Sequence, residues 1–194
     1  MKTTNSYFRS NGYTPDDIII TASGERCDLS KLSPFLRTLL VMDGTVTKAL
    51  EAWFWEPVKV VPLHIESTTL NQAVTGLESQ TGDRALLREV TLQGVKSEKI
   101  FAYARSTVLL KRLPKEIGEA LESGKIGIGG LFREKGLETY REIIDIDYFS
   151  VPNNSDDDEL LMHLNGEFIS RSYQIWVNQN PAIIVTEFFP LEIF

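Results

Sequence analysis

Cysteine is almost missing from this chain: Cys27 is the only one in 194 residues. No intramolecular disulfide can form, and the single thiol fits a reducing compartment. Histidine is scarce too. His64 and His163 stand alone, at no spacing that would let them share a zinc ion with Cys27. Positive charge is in deficit: 20 Lys and Arg face 27 Asp and Glu, giving a net charge of −7 and a pI near 5.0. That balance argues against general binding to nucleic acid or to an anionic membrane surface. No run approaches the ~18 consecutive apolar residues that a membrane-spanning helix needs. The opening Met1-Lys2-Thr3-Thr4-Asn5-Ser6-Tyr7 lacks the apolar stretch of a signal peptide. The expectation is a cytoplasmic protein, monomer or homodimer, whose partner is a small molecule rather than nucleic acid or membrane.

What the chain does have is apolar residues in strand and helix rhythm. Hydrophobic residues make up 42% of it, enough to fill the core of one domain of this length. Residues 1–28 are polar apart from Ile18-Ile19-Ile20 and read as an N-terminal arm with a short strand near 17–21. The domain proper is expected over 29–194. Ser33-Pro34 has the chemistry of an N-cap followed by a first helical residue, and Phe35, Leu36, Leu39 and Leu40 follow at helical spacing. Asp43-Gly44 stops that helix. Thr45 is placed to cap a second one, from Val46 to about Trp55. A third helix is expected from Pro114 to Ser123, closed by Gly124.

Strands are expected over 58–67, 84–93, 99–111, 137–148, 167–177 and 181–189, with Pro62 marking an edge or a bulge. The stretch 68–82 reads as a loop or lid containing a short helix. The run from Val151 to Glu159 reads as a solvated acidic loop. Long hairpins without regular strand–helix alternation predict an α+β fold with a single, mainly antiparallel sheet and helices packed on it.

Two strands each carry one charge on an otherwise apolar face. Alternation puts Ile183, Val185, Glu187 and Phe189 on one side of the last strand, and Leu86, Arg88, Val90 and Leu92 on one side of an earlier one. A buried charge needs a partner. Either Arg88 and Glu187 pair with each other, or they stand at opposite ends of an apolar pocket, Arg88 holding a ligand carboxylate and Glu187 a hydroxyl or a proton. Three other features bear on such a pocket. The strand over 99–111 alternates small Ala102, Ala104 and Ser106 onto one face, leaving room for a helix or a ligand. Its Arg105 is either an exposed charge or a second anion contact. The corner Asp43-Gly44-Thr45-Val46 exposes backbone N–H groups at a helix start, which is either an ordinary corner or an anion seat. Gly127-Ile128-Gly129-Gly130 lacks the Gly-Lys-Ser/Thr ending and the spacing of nucleotide loops. It is either a flexible connection or a place where backbone approaches a ligand closely.

Three of these stretches, in this order, resemble the chorismate lyase (chorismate–pyruvate lyase) family, in particular its shorter 4-hydroxybenzoate-forming members. They are Asp43-Gly44-Thr45-Val46-Thr47-Lys48, then Leu86-Leu87-Arg88-Glu89-Val90, then Arg171-Ser172-Tyr173 leading through Pro181 into Val185-Thr186-Glu187-Phe188-Phe189. Gly127-Ile128-Gly129 is similar to that family's Pro-Leu-Gly. The resemblance implies a six-stranded antiparallel sheet with helices enclosing a cavity, and loss of pyruvate from chorismate to give 4-hydroxybenzoate with neither metal nor organic cofactor. It also implies roles. Arg88 would bind the ring carboxylate, helped by backbone at Val46 and Ile128 with Thr45 and Gly129 beside them, and Glu187 would act at the far end. The same general fold resembles the effector-binding domains of bacterial transcription regulators, which offers a non-catalytic, ligand-binding alternative. Such a regulator carries a helix-turn-helix domain ahead of the effector domain, and residues 1–30 are too short and too acidic for one.

Overall fold

The computed structural model describes residues 18–20, 24, 26–151 and 166–194. The acidic stretch read at 151–159 lies outside them except for Val151, as does His163. Local chemistry starts the first helix where the sequence places it. The Ser33 hydroxyl accepts from the Leu36 amide at 3.2 Å, and Pro34 opens α1 (Pro34–Val41), which buries Leu36, Leu39 and Leu40. Helix α2 (Val46–Phe54) buries Val46 and Leu50 and ends at Trp55, whose φ of 57° breaks the helical path. Thr45 occupies the N-cap position, but its side chain makes no capping bond. Instead its Oγ1 accepts from Arg133 Nη2 at 3.0 Å.

Two short strands, β1 (Ile18–Ile20) and β2 (Arg26–Asp28), form an antiparallel ribbon. Ile19, Cys27 and Leu29 pack into the same apolar cluster as α1 and α2. The main sheet is built from β3 (Val58–Thr69), β4 (Arg84–Gly94), β5 (Ile100–Leu109), β6 (Thr139–Val151), β7 (Gly166–Val177) and β8 (Asn180–Pro190). Their order is β3-β4-β5-β8-β7-β6, and every neighbouring pair is antiparallel. The fold is thus α+β, a six-stranded antiparallel sheet with four α-helices among the described residues. Pro62 sits on edge strand β3 at a register shift, which spares the ladder the hydrogen bond that proline cannot donate. No helix among the described residues is long and apolar enough to cross a membrane.

The helices cover one face of the sheet in two pairs. Helices α1 and α2 pack with Leu92, Ala102, Ile146 and Phe189. Helices α3 (Lys115–Glu122) and α4 (Ile128–Glu134) pack with Leu86, Val108, Ile175 and Ile183. Two local expectations change. The glycine-rich stretch is not a free connection: Gly127 is the N-cap of α4, and Ile128-Gly129-Gly130 form its first turn, held by burial of Leu131 and Phe132.

The stretch after β3 contains no helix and is no lid over the helix-covered face. Its Leu70 and Leu77 pack with Ala85, Leu109 and Ile184. Ala85 and Ile184 alternate away from Arg88 and Val185, so this segment lies against the other side of the sheet. Arg112 fixes it there, donating to the carbonyls of Leu77 at 2.5 Å and Glu78 at 3.1 Å.

Candidate active site

A cavity of about 70 Å³ opens between the two helix pairs. Its floor is the sheet face expected from alternation: Arg88, Val90 and Leu92 of β4, Ala104 and Ser106 of β5, Val185 and Glu187 of β8. The small side chains of β5 leave the room, since flanking strands present larger ones. The walls come from the starts of two helices, Thr45 and Val46 of α2 and Ile128 and Gly129 of α4, joined by Arg141 of β6 and Tyr173 of β7. All six positions singled out from the sequence (Thr45, Val46, Arg88, Ile128, Gly129 and Glu187) therefore meet around one void.

Glu187 does not pair with Arg88. Its Oε2 accepts from Arg171 Nε at 2.7 Å and its Oε1 from the Tyr173 hydroxyl at 3.1 Å. Arg171 is 1% exposed and Glu187 6%. Arg171 also holds the corner between α1 and α2, donating from Nη1 to the carbonyls of Leu39 and, at 2.7 Å, Met42. Its guanidinium also lies over the Tyr173 ring, 5.0 Å from the centroid. Burial works against the Arg171 charge, but the Glu187 carboxylate and Tyr173 outweigh it and hold Arg171 above its ordinary range. Tyr173 is pushed up by burial and then by the Glu187 charge, so its phenol stays protonated and donates. One side of the carboxylate is thus locked in orientation and balanced in charge.

Arg88 has the opposite circumstances. It is 2% exposed, makes one hydrogen bond, from Nη2 to the Ile126 carbonyl at 2.8 Å, and its buried Nε has no partner. Burial alone pulls its pKa down to about 10, with no carboxylate to restore it. The group is still a cation at neutral pH. A desolvated cation facing a cavity can receive an anion, because a carboxylate there would supply both the charge and the missing acceptor.

A second cluster of cations meets at the α1–α2 corner. Arg141 Nη1 donates to the Asp43 carbonyl and Arg133 to Thr45. Gly129 makes the space for this: a Cβ there would stand 2.9 Å from Thr45 Oγ1 and 3.1 Å from Arg141 Nη2. Arg105, the other arginine considered as an anion contact, is an exposed-side charge instead. It pairs with Glu89 at 2.8 Å, and both residues alternate away from the cavity.

Arg171 and Tyr173, which the sequence offers only within a family-like stretch, and Arg141 are the residues to which sequence reasoning gave no role. A signal for Arg171 was present. In β7, Ile169, Arg171, Tyr173, Ile175 and Val177 form an apolar stripe with one arginine, the same pattern that singled out Arg88. Arg141 carried no such mark, because β6 also carries Glu142, Asp145 and Asp147, so one more charge does not stand out on this edge strand.

Known proteins share both the sequence pattern and the fold. The family model described as chorismate pyruvate-lyase Rv2949c-like matches residues 40–194. The chorismate pyruvate-lyase of Mycobacterium leprae is 26% identical over 181 residues, covering 87% of this chain and 80% of that one. The chorismate pyruvate-lyase of Mycobacterium tuberculosis is 25% identical over 174 residues, covering 86% and 85%. Among solved structures, PhnF of Mycobacterium smegmatis superposes with a TM-score of 0.56 at 13% identity, spanning 77% of this chain but only 65% of that one. Its effector domain alone is covered to 88%, with a TM-score of 0.55. That likeness is one of fold. The family model takes in the α1–α2 corner, Arg88, the start of α4 and the β7–β8 hairpin that carries Arg171 and Glu187, and this chain belongs to the chorismate pyruvate-lyase Rv2949c-like family.

Proposed function

We propose that this protein eliminates pyruvate from chorismate in the cavity between the helix pairs and leaves 4-hydroxybenzoate. The observation that carries the reading is Arg88: a buried guanidinium without a carboxylate, across an apolar floor from a carboxylate that is already paired. The two groups complement the two ends of a benzoate ring. The ring carboxylate lies on Arg88, helped by the Val46 and Ile128 amides, since the first amides of a helix have no partner within it. The ring hydroxyl and the departing ether lie toward Glu187.

The chemistry asks little of the protein. The hydrogen on ring C4 leaves as a proton and its electron pair completes the aromatic ring. The C3–O bond breaks, and the enolpyruvate takes up one proton at its methylene carbon to become pyruvate. Aromatisation drives the step, so orientation and charge placement in a dry site suffice. Arg171 and Tyr173 fix the Glu187 oxygens before substrate arrives, which removes a reorganisation cost.

The direct test is to incubate the protein with chorismate and measure both products. Stoichiometric pyruvate and 4-hydroxybenzoate support the reading. Tight 4-hydroxybenzoate binding without turnover would replace it with a ligand-binding role like that of an effector domain. Glu187→Gln keeps an oxygen for the Tyr173 hydroxyl but removes the charge, and is expected to lower turnover at least tenfold, about 1.5 kcal/mol, while the chain still folds. Turnover of Glu187→Gln at the native rate would remove the carboxylate from the chemistry.

Gly129→Ala tests the cavity wall. Alanine favours the helix by up to about 1 kcal/mol, but its methyl crowds Thr45 and Arg141 at a packing cost of similar size, so thermal stability should change little. The displaced wall should raise the KM for chorismate roughly fivefold, about 1 kcal/mol of lost binding. An unchanged KM would mean that this wall does not touch substrate.

A further inference from the structure

Buried polar atoms without a hydrogen-bond partner are rare in folded proteins, and each asks for a reason. Among the described residues four side-chain atoms are in this state: Arg88 Nε, Thr91 Oγ1, Arg141 Nε and Trp176 Nε1. Two of the four belong to arginines that line the same cavity. Neither arginine forms an ion pair among the described residues. Glu187, the one carboxylate in the cavity wall, is matched by Arg171 behind it. The wall therefore presents two unbalanced positive charges.

Their positions are as telling as their number. Arg88 is on β4 and Arg141 on β6, with β5, β8 and β7 between them. At the usual strand spacing their backbones stand roughly 19 Å apart, and both side chains reach inward to one void. Arg141 comes in beside Tyr173, the residue bonded to Glu187, close enough for its charge to act on that phenol. It also lies against Gly129 and Thr45. The second cation thus reaches the cavity between the two helix starts and Tyr173, the neighbour of Glu187.

Resting on the function proposed above, we infer that Arg141 is a specificity-determining contact that receives the side-chain carboxylate of chorismate while Arg88 holds the ring carboxylate. The substrate is a dianion, and the two cations match it charge for charge. Each product keeps one carboxylate and so keeps only one of the two contacts. Elimination divides a doubly anchored molecule into two singly anchored ones, which favours release. Arg141 thereby discriminates the dicarboxylate substrate from monocarboxylate benzoates that fit the same floor.

The experiment compares two ligands on one variant. In Arg141→Gln, measured by calorimetry and kinetics, affinity for chorismate should fall at least tenfold, while the Kd for 4-hydroxybenzoate stays within twofold of native. Arg141→Lys should recover part of the chorismate affinity, since it restores the charge without the planar fork. Arg141 also donates to the Asp43 carbonyl, so a merely structural role would loosen the Val46 corner and weaken both ligands together. Parallel loss of both affinities, or unchanged chorismate binding, overturns the inference. The 4-hydroxybenzoate affinity is read independently of catalysis, and the chorismate affinity is read in the Glu187→Gln background, where turnover is slow. A native protein that binds chorismate more tightly than 4-hydroxybenzoate only when Arg141 is present, yet releases no pyruvate, would uphold this contact and refute the lyase reading.

Discussion

Arg171→Met is expected to cost about 3–5 kcal/mol of folding stability, the usual result of removing one partner from a buried ion pair. Glu187 would be left 6% exposed with only the Tyr173 hydroxyl as partner, and the Leu39 and Met42 carbonyls would lose their donor. Urea unfolding at neutral pH reads the loss. The double variant Arg171→Met with Glu187→Gln should recover part of the deficit, because it buries no charge at that pair. A double variant no more stable than Arg171→Met alone would assign the effect to the two carbonyls and the α1–α2 corner rather than to the carboxylate.

Arg88→Met should behave in the opposite way, losing function without losing stability. Arg88 gives the fold one hydrogen bond to the Ile126 carbonyl and leaves a buried N–H unpaired. Methionine is similar in length, apolar and able to adapt to an irregular site. The melting temperature should stay level or rise, as it does when a functional charge is removed from a dry site. Activity on chorismate should fall on the order of 100-fold in kcat/KM, about 3 kcal/mol, the worth of a desolvated charged contact that substrate and transition state both require. Binding of 4-hydroxybenzoate should weaken with it, in contrast to Arg141→Gln. Native kcat/KM in Arg88→Met would take the residue out of the site. A large drop in melting temperature would make it a structural arginine.

Together the two variants separate two kinds of buried arginine that look alike in sequence. Each is the one buried charge on an otherwise apolar stretch of strand face. Arg171 has all its observed partners within the protein and stabilises the hairpin and the corner. Arg88 has most of its donor capacity unspent, and its pKa of about 10 records burial with no compensating carboxylate. A buried cation unsatisfied by its own chain costs stability, which is the pattern expected where a charge serves binding rather than folding.

Much of this was local and therefore legible. Period-two alternation assigned Arg88 and Glu187 to the covered face, and small Ala104 and Ser106 marked the room beneath them, because side-chain direction in a strand depends only on parity. Ser33-Pro34 and Gly124 set helix ends by chemistry within a turn or two. The partner of Glu187 was not legible in this way. The β7–β8 hairpin turns at Asn178 and Gln179, both at positive φ, and starts by pairing Val177 with Asn180. Continued without interruption, that register would set Ser170 opposite Glu187. A bulge between Ile175 and Trp176 shifts the ladder by one residue and sets Arg171 there instead. The sequence by itself determined which side chains of β4, β5 and β8 face the cavity. Only the tertiary structure decided that Glu187 is paired from behind while Arg88 and Arg141 are left open, because a one-residue slip at a bulge and the meeting of strands four places apart are settled by packing across the whole sheet.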